Sequence, residues 1–322
     1  MNSGLTTGNA HTYMKNTLIK ASRKIGVTGG TGFLGSRLVR RLRERGDFPV
    51  VFTRNPGKGA NTLGMEFRTW DALAPLSPDQ LKDLDALIHL AGESVMGLWT
   101  QKKKERIHDV RVLGARHLVD ALSKSSPRPK ILLSSSASGY YGDGGDAILT
   151  ESSPLGTGFL AQLCAEWEGE AARAEQMGVR VVRLRTTLPL DPAGGILRGL
   201  LIPFRFGLGA VLGSGTQWMS WIHIDDWVGL VLSALDDPAY EGALNMTSPK
   251  PVRNLEFTRT LAHVLRRPAF LRVPKSVLNR FPQGREGALV SQRILPAKAE
   301  ALGFQFQHPQ LEEALRDLLR RS

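Results

Sequence analysis

A single cysteine, Cys164, occurs in the 322 residues. That excludes an intramolecular disulfide and any cysteine-rich metal centre, and it suits a reducing compartment. No apolar run reaches the roughly 18 residues of a spanning helix, and no signal-peptide core is visible. A soluble, cytoplasmic protein without membrane contact is expected. The seven histidines are scattered with no His-Glu-x-x-His spacing, so no metal site is expected. Only four tyrosines are present, Tyr13, Tyr140, Tyr141 and Tyr240, and none has a lysine four residues on. No lysine at all lies between Lys130 and Lys250, and no acid lies between Pro49 and Met65. Residues 1–22 contain neither acid nor arginine. They read as a flexible N-terminal extension or as sequence before an alternative start at Met14, in preference to a weak transit peptide, which would be rich in arginine and amphipathic.

Basic residues are in excess, giving a formal net charge of +12. They are spread along the chain, and the one run, "QKKKER" (101–106), opens a helix without interleaved aromatics to stack bases. The charge is therefore assigned to a basic surface and a phosphate-bearing cofactor rather than to nucleic acid. The length suits two domains, and monomer or homodimer is the expected assembly.

The most informative stretch is "RKIGVTGGTGFLGSRLVRRLRERG" (23–46). An apolar run ending at Val27 reads as a strand, and Leu38, Val39 and Leu42 recur at helical spacing. Between them, Gly30-x-Gly32-x-x-Gly35 and Gly29-x-x-Gly32-x-x-Gly35 both fit a dinucleotide cradle. Glycine is needed for the tight turn, for backbone approach to a pyrophosphate and for close helix packing. Helix N-terminal amides then hold the phosphates. Thr31, Phe33 and Leu34 lie within this cradle and join the candidate cofactor set.

The second strand, in "FPVVFTRNPGKG", selects the cofactor. Dinucleotide folds that take NAD place an acid near this strand end for the ribose 2′-OH. Here Arg54 and Lys58 stand instead, and a guanidinium fork matches a 2′-phosphate. NADP(H) is expected.

"DALIHLAGES" (85–94) reads as a strand running into Leu90, Ala91 and Gly92, small enough after the leucine to pass close under a cofactor. His89 reads as a core histidine. Glu93 reads equally as a cleft acid or a solvated loop acid. A helix over 99–122 and the strand "KILLSSS" follow. The next helix, "GFLAQLCAEWEGEAARAEQ", carries Leu160, Leu163, Cys164, Trp167 and Ala171 on one face, with Cys164 as a buried small hydrophobe. The strand "VRVVRLRTT" carries Arg185, a further cofactor-side candidate. Beyond Pro192, Gly- and Trp-rich sequence leads into a helix that Asp225 or Asp226 would cap, and the C-terminal part is amphipathic and helical.

Alternating strands and helices imply an α/β, Rossmann-type doubly wound parallel sheet with a smaller, mostly helical C-terminal substrate-side domain. The expected division is 23–190 for the cofactor domain, with 216–246 returning to it. Residues 191–215 and 247–322 are assigned to the substrate side.

These segments resemble the extended short-chain dehydrogenase/reductase superfamily. Within it the chain is similar to an atypical "epimerase family" group with a short C-terminal domain of unknown function. The resemblance spans about 24–320. It rests on "VTGGTGFLGSRL", "LAGES", "GYYGDGGDAILTE", "FLAQLCAEWE", "SGTQWMSWIHIDD" and the final helical segment. It implies NADP(H), a cytosolic location and no known substrate. Some members carry a cell-division-inhibitor label. The superfamily's Tyr-x-x-x-Lys helix aligns so that Leu160 replaces the tyrosine and Cys164 the lysine, and "LPLDPAGG" departs from the Gly-Pro turn usual in the group.

In ordinary members the lysine lowers the tyrosine pKa so that it can exchange a proton near neutrality. Here Ser136 still aligns with the superfamily's serine. Tyr141 or Tyr140, just after it, and His223 in "WIHIDD" are the remaining candidate proton partners. Three readings stay open: an NADP(H)-dependent oxidoreductase or epimerase with a non-standard acid/base group, an NADP-binding regulator or scaffold without turnover, and a nucleic-acid-associated Rossmann protein.

Overall fold

A computed structural model describes residues 22–56, 65–95, 97–281 and 287–321. All but the last residue of the expected N-terminal extension lies outside them, as does Lys58.

Seven strands form one parallel sheet: β1 (Lys24–Thr28), β2 (Phe48–Thr53), β3 (Glu66–Thr69), β4 (Ala86–His89), β5 (Ile131–Ala137), β6 (Arg180–Thr186) and β7 (Gly242–Met246). Their spatial order is 3-2-1-4-5-6-7, and every pairing is parallel. The chain thus reverses direction across the sheet between β1 and β4, which is where α/β sheets open a crevice at their carboxyl ends. The central strands are buried on both faces, so they read as continuous apolar runs rather than alternating ones. The edge strand β3 escapes the sequence pattern because its "EFRT" is short, charged and only half-buried.

Helices α1 (Phe33–Glu44), α2 (Gln101–Lys124), α3 (Phe159–Ala172), α4 (Gly195–Arg205) and α5 (Ile224–Asp236) cover the sheet or its ends. One core joins β1 and the sheet centre to α1 and α5 through Leu38, Val39, Trp227 and Val231. The opposite core joins Leu87 and Leu132 to Leu118, Leu122 and Ala171. Thr100 caps α2, its hydroxyl accepting the Lys103 amide. Asp225 or Asp226 was expected to cap α5, and neither does. His223 does, because the helix begins one residue earlier than Asp225 and the imidazole Nδ1 accepts the Asp225 amide. Asp226 instead accepts the amides of Gln307 and His308 at 2.7 and 3.0 Å. That ties the C-terminal segment to α5.

Beyond the sheet, α6 (Asn254–Leu265) packs on α7 (Leu311–Arg320), which buries Leu311, Ala314, Leu315 and Leu318 on one stripe. Short strand pairs stitch this part to the rest: Arg293–Ile294 lies beside Ile148–Leu149, and Trp221–His223 beside Leu188–Leu190. Among the described residues no helix is long and apolar enough to cross a membrane.

Candidate functional site

The glycine turn leaves β1 and enters α1 at the carboxyl end of the sheet. Gly29 has φ +68°, and a Cβ there would stand 2.7 Å from the Leu90 carbonyl. A Cβ on Gly35 would stand 2.2 Å from the Gly29 carbonyl. Neither position admits a side chain, so the turn packs directly on the β4 exit. Gly32 precedes α1 without a side-chain cap, and no acid occupies the first turn. The first amides of the helix are therefore left for an external acceptor. Phe33 turns away to pack its ring against Gly194, Leu34 joins the core, and Thr31 stays exposed at the rim.

Thr28 fixes the facing loop. Its Oγ1 accepts the amides of Leu90 and Ala91, both at 3.1 Å. With both lone pairs taken, the hydroxyl proton is left for His89 Nδ1, 2.8 Å away. His89 is wholly buried, and burial pushes its pKa down to about 4. It is a core histidine that holds the cradle wall.

A cavity of about 450 Å³ opens beside the turn, lined by Gly29, Gly32, Arg54, Trp70, Gly92 and Arg106 among others. Arg54 is exposed at its rim. Trp70, Asn55 and Arg106 were not foreseen as site residues: Trp70 and Asn55 stand alone outside helices and strands and carry no periodic signal, and Arg106 belongs to the basic run that opens α2. Glu93 also lines the cavity, paired with Lys103 at 2.6 Å and Arg106 at 3.1 Å. The Lys103 bond holds its carboxyl below the usual range.

A second constellation sits under the ends of β5, β6 and β7. Register places Ser136 and Asn245 on either side of Arg185 in one cross-strand row. Ser136 Oγ donates to Glu168 Oε1 at 2.6 Å. Arg185 grips the same carboxylate through Nε and Nη2, both at 2.8 Å, and its Nη1 donates to Tyr141 Oη at 3.0 Å. Tyr141 Oη donates onward to Asn245 Oδ1 at 2.6 Å. Burial pushes the Tyr141 phenol up to about 12. Arg185 Cζ also lies 3.5 Å from the Tyr140 ring centroid. The structure thus brings Ser136, Tyr140, Tyr141 and Arg185 together, with the Arg185 side chain turned to Glu168 and the tyrosines.

Glu168, the hub, was missed. The signal was present: it lies four residues past Cys164 and three before Ala171, a lone acid on the apolar face of α3. Cys164 is buried, its thiol pushed up to about 11 by burial.

His223 belongs elsewhere. It is fully buried at the start of α5, its ring stacked on His308 with centroids 3.8 Å apart and planes at 30°. Its Nε2 lies 3.3 Å from Asp317 Oδ2 on α7. Asp225 and Asp317 in turn meet Arg321 at 2.6 and 2.9 Å. Donor atoms of His223, Asp225, His308 and Asp317 fall within 4.8 Å of one another. An ion must lie near the plane of each ligating ring at about 2 Å from nitrogen. Two stacked planes at this tilt do not meet so close in, and His223 Nδ1 already accepts an amide proton. As placed, the cluster pins α7 to α5.

Comparison with known proteins defines the class. Residues 25–246 match the NAD dependent epimerase/dehydratase family, and residues 273–318 match a domain of unknown function, DUF1731. The chain belongs to the NAD dependent epimerase/dehydratase family. More particularly, it is 37% identical over 300 residues to the chloroplastic epimerase family protein SDR39U1 homolog of Arabidopsis thaliana, covering 92% of this chain and 86% of that one. It is 34% identical to the epimerase family protein YfhF of Bacillus subtilis, over 92% of this chain and 97% of that one. The crystal structure of human epimerase family protein SDR39U1 (isoform2) with NADPH superposes with a TM-score of 0.83 at 31% identity, covering 93% of this chain and all of the other.

Proposed function

We propose that the protein is a cytoplasmic, NADP(H)-dependent oxidoreductase or epimerase-like enzyme that acts on a carbonyl or alcohol substrate with a non-standard acid/base group. The observation that carries this reading is Arg54 at the acid-free end of β2, on the rim of a cavity whose floor is the glycine turn. The fit to a dinucleotide is steric as well as chemical: only glycine is tolerated at 29 and 35, and the amides of α1 are uncapped. In this reading those amides bind the pyrophosphate and Arg54 binds the 2′-phosphate. The human relative was crystallised with NADPH, in agreement. A bound nicotinamide supplies or accepts a hydride, and the chain must move the matching proton.

For that proton, Tyr141 is a poor group, because its hydroxyl already donates to Asn245 and burial holds its proton. Tyr140 is half-buried, and among the described residues its hydroxyl has no bonded partner. Ser136 is buried and oriented by Glu168, which holds its hydroxyl proton at 2.6 Å. Ser136 and Tyr140 are the pair we assign to the reaction. Tyr141, Arg185 and Asn245 hold them in place.

The satisfied state of that network also favours a second reading, a cofactor-binding regulator without turnover. NADPH oxidation against a panel of aldehydes and ketones separates the two. The enzyme reading expects turnover that Tyr140→Phe abolishes and Tyr141→Phe largely keeps. Tight NADPH binding with no turnover across the panel, and no hydride exchange in the reverse direction with alcohols, would establish the regulator instead.

A further inference from the structure

Lysine is missing from position 164, and the structure holds another cation beside that position. Arg111 lies on α2, one residue past Val110, which lines the cavity next to the glycine turn. Its guanidinium lies against Gly92: a Cβ built on that glycine would meet Nη2 at 3.4 Å and Cζ at 3.6 Å. On its other side the guanidinium lies over the Trp167 ring, 5.4 Å from the centroid. Trp167 is less than one turn beyond Cys164 on α3, and the Arg111 charge is felt at the Cys164 sulfur.

Arg111 is half-buried, yet it makes no ion pair among the described residues. Among the described residues its one hydrogen bond runs from Nη1 to the Ile107 carbonyl of its own helix, at 3.3 Å. Glu93, the acid whose charge it feels, is taken by Lys103 and Arg106. Burial disfavours its charge. The guanidinium is partly withdrawn from water, and among the described residues its Nε and Nη2 bond no protein group, so they are free to meet an acceptor. Of the five N–H groups, most are left to meet a ligand.

What arrives follows from the covalent order of the dinucleotide. The Arg54 cavity takes the adenosine half and the glycine turn takes the pyrophosphate. Gly92 lines the same cavity at the β4 exit, and Cys164 lies beyond it, its sulfur against Ala137 and Gly139 at the end of β5. The next oxygen-bearing unit is the second ribose.

We propose that Arg111 supplies the cation missing from position 164 by donating to the hydroxyls of the nicotinamide-side ribose. It thereby fixes the reactive ring beside Ser136 and Tyr140. This rests on the cofactor reading above. The difference from a lysine at 164 is its origin: the charge comes from α2 and crosses under Gly92, so position 164 is free to be an apolar cysteine.

The test is calorimetric titration of the full chain with NADPH, with 2′-phospho-ADP-ribose and with 2′,5′-ADP, which ends before the second ribose. Arg111→Met is expected to weaken the first two by about tenfold or more, the scale of a charged hydrogen bond, and to leave 2′,5′-ADP unchanged. Arg111→Lys should recover most of the loss. Equal weakening of 2′,5′-ADP would mean that Arg111 serves the adenosine half, and no weakening of any ligand would mean that it only packs on Trp167. Either result overturns the proposal and leaves the cofactor reading standing, whereas wild-type protein that binds none of the three overturns that reading itself. Labelling of the wild type with an arginine-specific dicarbonyl needs no variant: NADPH must protect Arg111 and 2′,5′-ADP must not. Protection by both sinks the idea even where Arg111→Met fails to fold.

Discussion

The glycine turn and the Ser136–Glu168–Arg185 cluster both sit at the carboxyl edge of the sheet, and they spend their polar groups in opposite ways. At the turn, donors are kept open. The first α1 amides have no cap, Arg54 is exposed, and Thr28 closes its bonds to hold the wall. At the cluster, the bonds are closed. Two carboxylate oxygens of Glu168 receive Ser136 and a bidentate Arg185, and the Tyr141 hydroxyl both accepts and donates. Open donors with enforced glycine mark a place built for a ligand. A closed, buried network marks a place built to hold shape. Substitution should therefore separate the two: damage at the cluster appears in stability, and damage at the turn appears in cofactor affinity.

The largest effect should follow Glu168→Leu. It leaves Arg185 buried without its carboxylate and Ser136 without its acceptor, a loss of about 3–5 kcal/mol by the precedent of broken buried pairs. Chemical denaturation measures it. A change inside 1 kcal/mol would mean that the pair is hydrated, as at an open site, and the contrast would collapse.

Acid should act next, through the buried histidines. His89 and His223 both have folded pKa values of about 4, below the ordinary 6.5, because burial disfavours the imidazolium. The unfolded chain takes up these protons first as pH falls. Stability is therefore whole above pH 6.5, declines as pH falls from 6.5 towards 4, and levels off below for these groups. His89→Asn keeps an acceptor for Thr28 while removing one titration, so its denaturation midpoint should decline less steeply across this window. Parallel curves for the two proteins would show that His89 is reached by water.

Gly35→Ala tests the turn. Its Cβ would meet the Gly29 carbonyl at 2.2 Å, and the backbone must shift. Overpacking of this kind costs about 1–3 kcal/mol, and NADPH affinity should fall at least as far as a displaced cradle dictates, about tenfold. Gly199→Ala is the control: nothing lies within 4 Å of its Cβ on α4, so it should stabilise slightly and leave binding alone.

How far the sequence announced these sites follows from the same contrast. The turn was readable because its chemistry is local: four glycines and a helix start within a few residues, with Arg54 a fixed distance on. The parallel, doubly wound sheet was readable from alternating elements, apart from β3, whose half-exposed charged residues carry no strand pattern. The cluster was half-readable. Ser136, the tyrosines and Arg185 could be named from their strand ends, but what they do depends on Glu168 and Asn245, which come from 32 and 104 residues away. His223 was named only because the resembling superfamily places substrate-side residues there. Its partners His308 and Asp317 lie at the far end of the chain.

Arg54→Ala gives the smallest effect on the fold and the cleanest one on ligand choice. Arg54 is exposed, and among the described residues no ion pair holds it, so its removal should change stability by no more than about 0.5 kcal/mol. NADPH affinity should fall about tenfold, the value of one charge-assisted bond to the 2′-phosphate. NADH, which lacks that phosphate, should bind the variant as it binds the wild type, so calorimetry should show the gap between the two nucleotides closing from one side only. If both nucleotides weaken together, Arg54 shapes the cavity rather than reading the phosphate. Specificity would then have to come from another polar group on the cavity wall, such as Asn55 or Arg106.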